Sequence, residues 1–288
     1  MRIAVVGAAG QLGSELMGAF AGDEPIGLTH DSFEIEDAAA IAAMLEREQP
    51  ELVVNTAAFH NVDRCEESPE RAYAVNAIAV DRLAQACGKR DIALAHVSTD
   101  YVFDGATERP YDEHDATRPL NTYGISKRAG ELQLERRGSR HYIFRTSGLY
   151  AARGTSAKGK AFIERMLELA PADAPMRVVD DIVFSPSYAV HVAHAIRDVV
   201  TRNAYGTYHV SNAGACSWHA FATEILAQAG FARSIEKTSS LAQSGGVRRP
   251  KYSALENRAM RELGLPPLPT WQRGIADYLA ARGWKGPA

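Results

Sequence analysis

The sequence predicts an α/β fold: a doubly wound parallel sheet with a smaller C-terminal lobe. Strand-like and helix-like stretches alternate through residues 1–150, which is typical of parallel strands joined by crossover helices. A glycine-rich turn directly follows the first strand, where such sheets often bind a nucleotide. The 288 residues, 46% of them hydrophobic and 23% charged, suffice for one large domain or for a domain with a smaller lobe.

The elements of the first half follow from short apolar runs and helix-start patterns. Ser68 and Pro69 are typical of an N-cap and a first helical position. In order, the sequence predicts a strand at 1–6, a helix from 14, a strand at 25–29, an Ala-rich helix at 37–47, a strand at 52–55, a helix at 68–87, a strand at 92–97, a helix carrying Tyr123 and Lys127, and a strand at 142–145.

The second half is less regular. Residues 151–160 are rich in Gly, Ser and Lys and predict a loop. The elements predicted after it are a helix at 162–169, a strand at 176–179, a helix at 189–200, a strand at 206–210, a helix at 221–229 and a last helix at 271–281. We therefore expect residues 1–150 to form a nucleotide-binding domain. Residues 151–288 should form mainly a substrate-binding lobe, with some segments returning to the first domain.

Composition excludes several classes of function. The net charge of −3 does not indicate a nucleic-acid surface or a polybasic membrane patch. No apolar run approaches the roughly 20 residues that a membrane span requires. The three cysteines are scattered and lack metal-ligand or disulfide spacing, so we expect no metal site and a reducing, cytoplasmic location. Arg248 and Arg249 form a local basic pair that could bind a diphosphate.

The glycine loop runs from Gly7 to Gly13 with the spacing G-x-x-G-x-x-G. Glycines at such a turn let the backbone approach a pyrophosphate, which then lies on the N-terminus of the following helix. The spacing differs from the commoner G-x-G-x-x-G, and glycine-rich turns follow many strands. Its place between a first strand and a first helix favours a nucleotide site.

A second motif joins the block Ser98–Gly105 to Tyr123 and Lys127. Residues four apart on a helix share one face, and an ammonium group lowers the pKa of a nearby phenol. Thr99 follows the apolar strand at 92–97, and ligands bind at the carboxyl ends of such strands. A hydroxyl, a phenol and an amine that converge there could move a hydride and a proton at a carbonyl. For the Tyr–Lys spacing alone, an ordinary solvated helix face is the alternative.

With these motifs in order, the chain resembles the extended short-chain dehydrogenase/reductases, which have a Rossmann fold, and more narrowly the dTDP-4-dehydrorhamnose reductase family. The resemblance covers nearly the whole chain. It is carried by Asn55-Thr56-Ala57-Ala58, Val62-Asp63-Arg64-Cys65-Glu66, Val75-Asn76-Ala77, the block Ser98–Gly105, Pro119-Leu120-Asn121-x-Tyr123-Gly124, Arg145-Thr146-Ser147, Arg249-Pro250 and Leu268-Pro269-x-Trp271.

The resemblance implies reduction of the 4-keto group of a nucleotide-linked 6-deoxysugar by a nicotinamide cofactor, in particular dTDP-4-dehydro-L-rhamnose to dTDP-L-rhamnose. It implies that Tyr123 donates the proton to the forming alkoxide. Lys127 would lower the pKa of Tyr123 and hold the nicotinamide ribose. Thr99 would hydrogen-bond the same substrate oxygen and stabilise its developing charge.

The resemblance also implies the cofactor-binding and substrate-binding residues. The pyrophosphate would lie on Gly7, Gly10, Gln11 and Leu12, the adenine near Glu34 and Ile35, and the ribose and phosphates beside Ala57 and Ala58, with Tyr123 and Lys127 at the nicotinamide end. The substrate would contact Thr99, Asp100, Tyr101, Gly148 and Arg249.

Cofactor preference depends on the residue that follows the second strand, since a carboxylate there binds a ribose 2′-hydroxyl and repels a 2′-phosphate. Thr29 and His30 occupy this region, with Asp31 one position further on. We expect NADP as the cofactor, with NAD as the alternative if a shift of one residue brings Asp31 into place.

The substrate half departs from the family pattern at Gly148, Ala161 and Ile182. Many members carry Trp where Gly148 stands, so we expect a wider pocket, with looser sugar selectivity that Gly148→Trp would tighten. Neutral drift is the alternative explanation. The expected partner is a nucleotide sugar, with neither nucleic acid nor membrane, and a homodimer is left open.

Two other functions stay open at this point. The same fold serves as a non-catalytic, cofactor-binding regulatory subunit, but the presence of Thr99, Tyr123 and Lys127 favours an enzyme. A sugar-nucleotide epimerase or dehydratase is the second alternative. Dehydratases carry Asp-Glu after the threonine, and here Asp100 is followed by Tyr101.

Overall fold

Five strands of a parallel sheet and the helices that join them make up most of the first half of the chain. The computed structural model describes residues 1–137, 140–154, 159–172, 175–240 and 246–286. In chain order the first half contains β1 (Ile3–Val6), α1 (Gln11–Ala19), β2 (Pro25–Leu28), α2 (Ala38–Glu48), β3 (Leu52–Asn55), α3 (Val62–Glu67), α4 (Pro69–Tyr73), a π-helical segment (Ala74–Ile78), α5 (Ala79–Gly88), β4 (Ala93–Thr99), a 3₁₀ turn (Asp100–Val102), α6 (Thr122–Arg137), β5 (His141–Thr146) and β6 (Leu149–Tyr150).

The second half alternates short strands with helices. It contains α7 (Phe162–Leu169), β7 (Arg177–Val179), β8 (Val183–Phe184), β9 (Ser187–Tyr188), α8 (Ala189–Val200), β10 (Gly206–His209), β11 (Cys216–Ser217), α9 (Trp218–Gln228), β12 (Glu236–Thr238), α10 (Arg258–Glu262) and α11 (Trp271–Ala281).

The main sheet has the strand order β10-β5-β4-β3-β1-β2, and every pair in it is parallel. β1 pairs with β2 on one side and with β3 on the other, so the chain changes direction across the sheet at β1. Ligands of open α/β sheets bind beside such a switch point, at the carboxyl ends of the strands. The predicted doubly wound parallel sheet is confirmed.

The two faces of the sheet are covered because its central strands are apolar on both sides. Ile3 and Val5 of β1 pack in a cluster with helices α1 and α8, whereas Ala4 and Val6 pack in a cluster with α2 and α5. Alternate residues of a strand point to opposite faces. The continuous apolar run at the start of the chain is therefore explained by burial on both faces.

A separate hydrophobic cluster forms the C-terminal lobe, where α7, α9 and α11 pack together around residues such as Ile163, Phe221 and Ile275. Two elements of the second half belong instead to the six-stranded sheet. β10 pairs with β5 in parallel, and α8 packs against α1.

The helix predicted at 68–87 is wrong in detail, since a π-helical segment, Ala74–Ile78, interrupts it. Asn76 lies in this segment, where its side chain accepts a hydrogen bond from Phe59 N–H and donates to Phe59 O and to Ser126 Oγ. Extra residues in a helical turn often serve to aim a side chain. Here the segment aims a buried amide at α6, the helix that carries Tyr123 and Lys127.

One further difference concerns the start of a helix, and a separate observation concerns membrane crossing. The helix predicted from Phe221 begins at Trp218, because Ser217 accepts a hydrogen bond from Ala220 N–H and caps it. Among the helices of the described residues, none combines the length and apolar character that a bilayer crossing requires.

Candidate active site

The glycine loop between β1 and α1 is shaped for the close approach of a ligand. Gly7 has φ +83°, and a Cβ there would lie 2.6 Å from Thr56 Oγ1 and 3.2 Å from Ala57 N. Only glycine fits this conformation and this space. No side chain caps α1 at Gly10, so its first N–H groups face the loop and suit a pyrophosphate. The Leu12 side chain is buried in the core, which leaves only its backbone for a cofactor.

Thr99 and Tyr123 meet at the carboxyl edge of the sheet. Thr99 ends β4, and Tyr123 lies in the first turn of α6. The Thr99 hydroxyl accepts a hydrogen bond from Tyr101 N–H at 3.2 Å and is hydrogen-bonded to the Tyr123 phenol. The rings of Tyr101 and Tyr123 pack edge to face with their centroids 5.9 Å apart. The phenol thus has a fixed direction and a hydroxyl beside it.

Burial raises the pKa of Tyr123 above its usual value, and the hydrogen bond with Thr99 only partly offsets this effect. The net shift is opposite to the lowering that we expect from Lys127, whose effect on the phenol stays a prediction. The Lys127 amine lies on the strand side of α6, where it donates to Val97 O at 2.7 Å and lies 3.0 Å from His96 Nε2. A raised pKa keeps Tyr123 protonated near neutral pH, which is the state that a proton donor needs.

The N-terminus of α6 is attached to the segment that carries the basic pair. Asn121 accepts a hydrogen bond from Gly124 N–H and donates one to Arg248 O. Arg249 in turn donates to Asp63 Oδ1 at 2.8 Å and is hydrogen-bonded to the Tyr101 phenol. These contacts hold Arg248 and Arg249 near the end of α6 that carries Tyr123.

A cleft of about 1150 Å³ opens beside these groups. Its walls come from the 3₁₀ turn, α7, β7, α9 and the segment after residue 246. The lining includes both Tyr101 and Arg249, as predicted for the substrate site. The charged and aromatic residues that line it are Tyr101, Asp104, Phe162, Arg165, Arg177, Trp218, Arg248, Arg249 and Lys251. Five cations against one carboxylate suit a substrate with negative charge, and the aromatic rings offer surfaces for a planar base.

The sequence model of the RmlD substrate binding domain family matches residues 1–283. The chain belongs to the dTDP-4-dehydrorhamnose reductase family. It is 37% identical over 283 residues to the spore coat polysaccharide biosynthesis protein SpsK of Bacillus subtilis, covering 98% of each chain. It is 36% identical over 296 residues to dTDP-4-dehydrorhamnose reductase of Burkholderia thailandensis, covering 96% of this chain and 97% of that one.

A solved structure shows the same fold with a cofactor. The dTDP-4-dehydrorhamnose reductase of Bacillus anthracis in complex with NADP superposes with a TM-score of 0.91 and 31% identity, covering 97% of this chain and 98% of that chain. The sequence match and the structural match to this family therefore both cover nearly the whole chain.

Other positions predicted from this reductase family lie on the segments that follow β2 and β3. Glu34 is half-exposed and accepts a hydrogen bond from Glu36 N–H, whereas Ile35 is buried in the core. Ala57 N–H donates to Asn55 Oδ1 at the end of β3, and Ala58 follows it. Thr29 is the first residue after β2. Among the described residues, no His, Cys, Asp and Glu side chains are grouped as metal ligands.

The prediction that Asp100 binds substrate is wrong. Its carboxylate is buried and accepts hydrogen bonds from three hydroxyls: Thr99 at 3.1 Å, Ser147 at 2.9 Å and Ser253 at 2.5 Å. Asp100 therefore joins the end of β4 to the C-terminal lobe. Burial raises its pKa to about 6, although the three hydroxyl hydrogen bonds oppose the shift.

This carboxyl makes stability depend on pH in a defined direction. Folding raises the pKa of Asp100 from its usual value of 3.8. The protonated carboxyl therefore adds to the free energy of unfolding below about pH 4, and this contribution is lost as pH rises through about 6. We expect Asp100→Asn to remove up to ~3 kcal/mol of this pH dependence. The free energy of unfolding of both proteins, measured by urea from pH 4 to 7, checks it.

Asp104→Asn provides a control of opposite sign. The Tyr111 hydroxyl lowers the pKa of Asp104, so Asp104 stabilises the fold at higher pH and loses this effect as pH falls. Parallel curves for wild type and Asp100→Asn over the whole range would contradict the assignment to Asp100.

The predicted wider pocket at Gly148 is also wrong. Gly148 has φ +53°, and a Cβ on it would lie only 2.3 Å from the Phe184 ring. The Phe184 ring itself stacks on Trp218 with centroids 4.0 Å apart, so aromatic side chains already fill this place. Gly148→Trp would strain the backbone and clash, and it cannot tighten sugar selectivity as expected. Ile182, in contrast, does line the cleft.

Several residues of the site were missed by the sequence reasoning. His96 was treated only as part of an apolar strand, although a histidine within such a run indicates a buried polar partner. Ser253 and the cleft residues Phe162, Arg165 and Trp218 lie far from the motifs along the chain. Nothing local in the sequence marks them.

Proposed function

We propose that this protein reduces the 4-keto group of a nucleotide-linked 6-deoxysugar with NADPH, converting dTDP-4-dehydro-L-rhamnose to dTDP-L-rhamnose. The observation that carries the proposal is the hydrogen bond between Thr99 and Tyr123 at the carboxyl end of β4, with Lys127 buried one turn further along α6. A non-catalytic regulatory subunit would not need these three side chains in this arrangement. The names of the relatives and the NADP complex of the Bacillus anthracis reductase support the same reaction.

The cleft supports a nucleoside diphosphate as the carrier of the sugar. The segment after residue 246 lines the cleft with Arg248, Arg249 and Lys251, and helices α7 and α9 line it with Phe162 and Trp218. Guanidinium groups bind phosphate oxygens in pairs of hydrogen bonds, and an aromatic ring can stack on a base. A free sugar carries no negative charge to match these cations.

The chemical roles follow from the geometry of the side chains. The bound nicotinamide supplies the hydride that reduces C4. Tyr123 donates its phenolic proton to the C4 oxygen, and Thr99 hydrogen-bonds that oxygen as negative charge develops. Lys127, on the same helix face one turn from Tyr123, binds the nicotinamide ribose. The glycine loop and the N-terminus of α1 hold the pyrophosphate.

The test is an assay of NADPH oxidation against a panel of nucleotide-linked 4-keto-6-deoxysugars, with product analysis by NMR. We expect stoichiometric oxidation of NADPH and a 4-hydroxy product. Formation of an epimer or a dehydrated sugar without net oxidation of NADPH would instead identify an epimerase or a dehydratase. Cofactor binding without turnover of any sugar in the panel would favour a regulatory subunit.

We expect a modest preference for NADPH over NADH. β2 ends at Leu28, so the position that follows the strand is Thr29, and it carries no negative charge to repel a 2′-phosphate. Thr29→Asp should reverse the preference, measured as the ratio of kcat/KM for the two cofactors. Asp31→Asn is the matched control and should leave the ratio unchanged. A clear NADH preference in the wild type would show that Asp31 holds the ribose.

We also propose a cytoplasmic location and leave the homodimer as a prediction. Cys65, Cys87 and Cys216 are all buried and none of the three is in a disulfide, which supports a reducing compartment. Cell fractionation tests the location. Sedimentation equilibrium of the purified protein tests the dimer.

A further inference from the structure

A row of buried polar groups runs behind the proposed active site, from β3 through β4 to α6. Asn55 Nδ2 lies 3.2 Å from His96 Nδ1, and His96 Nε2 lies 3.0 Å from Lys127 Nζ. Asn55, His96 and Lys127 have side chains that are 1% exposed or less. Buried polar groups are costly unless each donor faces an acceptor. The direction of every hydrogen bond in the row can therefore be worked out.

The backbone decides the direction at one end. Ala57 N–H donates to Asn55 Oδ1 at 3.0 Å, and a backbone N–H can only donate. The amide of Asn55 must then present its Nδ2–H group to His96 Nδ1. His96 Nδ1 has to accept, so it carries no proton.

The imidazole of His96 fixes the direction of the next hydrogen bond in the row. Burial alone suffices to lower the pKa of His96 below its usual value, which makes the ring neutral. A neutral imidazole with an unprotonated Nδ1 carries its proton on Nε2. That N–H faces Lys127 Nζ, which can accept it only as a neutral amine. Lys127 then still has a hydrogen to donate to Val97 O, at 2.7 Å.

We propose that Asn55 and His96 are positioning residues that stabilise the neutral amine form of Lys127, so that this form is present in the cofactor-free protein at mildly alkaline pH. Their role in turnover rests on the proposed function, whereas the protonation pattern does not. The row thereby sets the pH at which Lys127 gains its charge. The ammonium form stabilises the phenolate that Tyr123 becomes when it gives up its proton.

Among the charges around Lys127, Glu131 opposes this effect. Burial lowers the pKa of Lys127 to about 8, and Glu131, one turn further along α6, acts in the opposite direction. Glu131 is itself held by two guanidinium groups, Arg145 from β5 and Arg128 from α6. On the 3₁₀ turn, the charge of Asp100 acts on the Tyr123 phenol. On β4, His96 is the titratable group in hydrogen-bonding contact with the amine.

The first test determines the tautomer of His96 by NMR. Protein labelled with ¹⁵N-histidine and free of cofactor is used, and two-bond ¹H–¹⁵N correlations show which ring nitrogen carries the proton. His96→Gln assigns the resonance. We expect a neutral ring protonated on Nε2 at pH 8 to 9. A ring protonated on Nδ1, or a charged ring, would overturn the proposal even if the enzyme reduces sugars as proposed.

The second test uses Asn55→Asp to reverse the direction of the hydrogen bonds along the row. The aspartate keeps the hydrogen bond from Ala57 N–H but can only accept from His96 Nδ1, so His96 Nε2 becomes an acceptor for an ammonium group. We expect the alkaline limb of kcat/KM to move upward by about one pH unit or more.

Asn212→Asp is the matched control for this shift. Asn212 is also buried and donates to a histidine, with its Nδ2 2.8 Å from His191 Nδ1, but it lies away from Lys127. The alkaline limb of the kcat/KM profile of Asn212→Asp should not move. An unmoved limb in Asn55→Asp would contradict the proposal. If Asn55→Asp fails to fold, the wild-type tautomer alone decides.

Discussion

Replacing Tyr123 with Phe lowers kcat by about 10²- to 10⁴-fold, which is the usual contribution of a positioned general acid. The dissociation constant for NADPH should change by no more than a few-fold, because the phenol acts on the substrate oxygen and the ring remains in place. Tyr123 is the proton donor of the proposed reaction, hydrogen-bonded to Thr99 at the end of β4. Single-turnover kinetics and fluorescence titration with NADPH measure the two quantities.

Tyr101→Phe is the matched control for this substitution. Tyr101 carries the neighbouring phenol, packed edge to face on Tyr123 and hydrogen-bonded to Arg249. Its loss should raise KM for the sugar nucleotide more than it lowers kcat. If Tyr123→Phe keeps more than roughly a tenth of the wild-type rate when chemistry limits turnover, Tyr123 is not the donor.

Arg145→Met should destabilise the fold by about 3–5 kcal/mol, since it leaves a buried carboxylate without its main partner. Arg145 binds Glu131 through two hydrogen bonds of 3.0 and 2.8 Å, and both side chains are almost fully buried. Burial works to raise the pKa of Glu131, but the charge and hydrogen bonds of Arg145 outweigh it and hold the pKa low. The free energy of unfolding in urea measures the loss.

Two further variants separate the buried charge from lost packing. Arg145→Met combined with Glu131→Leu should recover most of the stability, because no unpaired carboxylate remains. Arg177→Met breaks the exposed pair with Glu236 and should change stability by less than about 1 kcal/mol. If the double variant is less stable than Arg145→Met alone, the buried charge is not the cause of the loss.

The predictions that held depend on patterns local to the sequence. The order of strands and helices in the first half follows from apolar runs of strand length separated by helical periods. The position of Thr99 follows from the same patterns, because the residue after an apolar strand lies at the sheet edge. The glycine loop is likewise read from a strand, a turn and a helix in succession.

The predictions that failed depend on contacts between distant parts of the chain. Asp100 directly follows Thr99, yet Ser147 and Ser253 bury it away from the cleft. Gly148 suggested open space, but the Phe184 ring fills it. Neither outcome can be read from neighbouring residues, because burial is decided by what packs on a side chain from elsewhere.

By itself, the sequence determined the class of fold, the glycine loop and the set of reacting groups. Each of these is specified by residue type and by spacing along one strand or one helix, which the backbone geometry converts directly into position. Only the tertiary structure decided the charge states of these groups. The pKa of Tyr123, Lys127 and Asp100 depends on desolvation and on partners such as His96 and Ser253, and packing brings these together across the sheet and between the lobes.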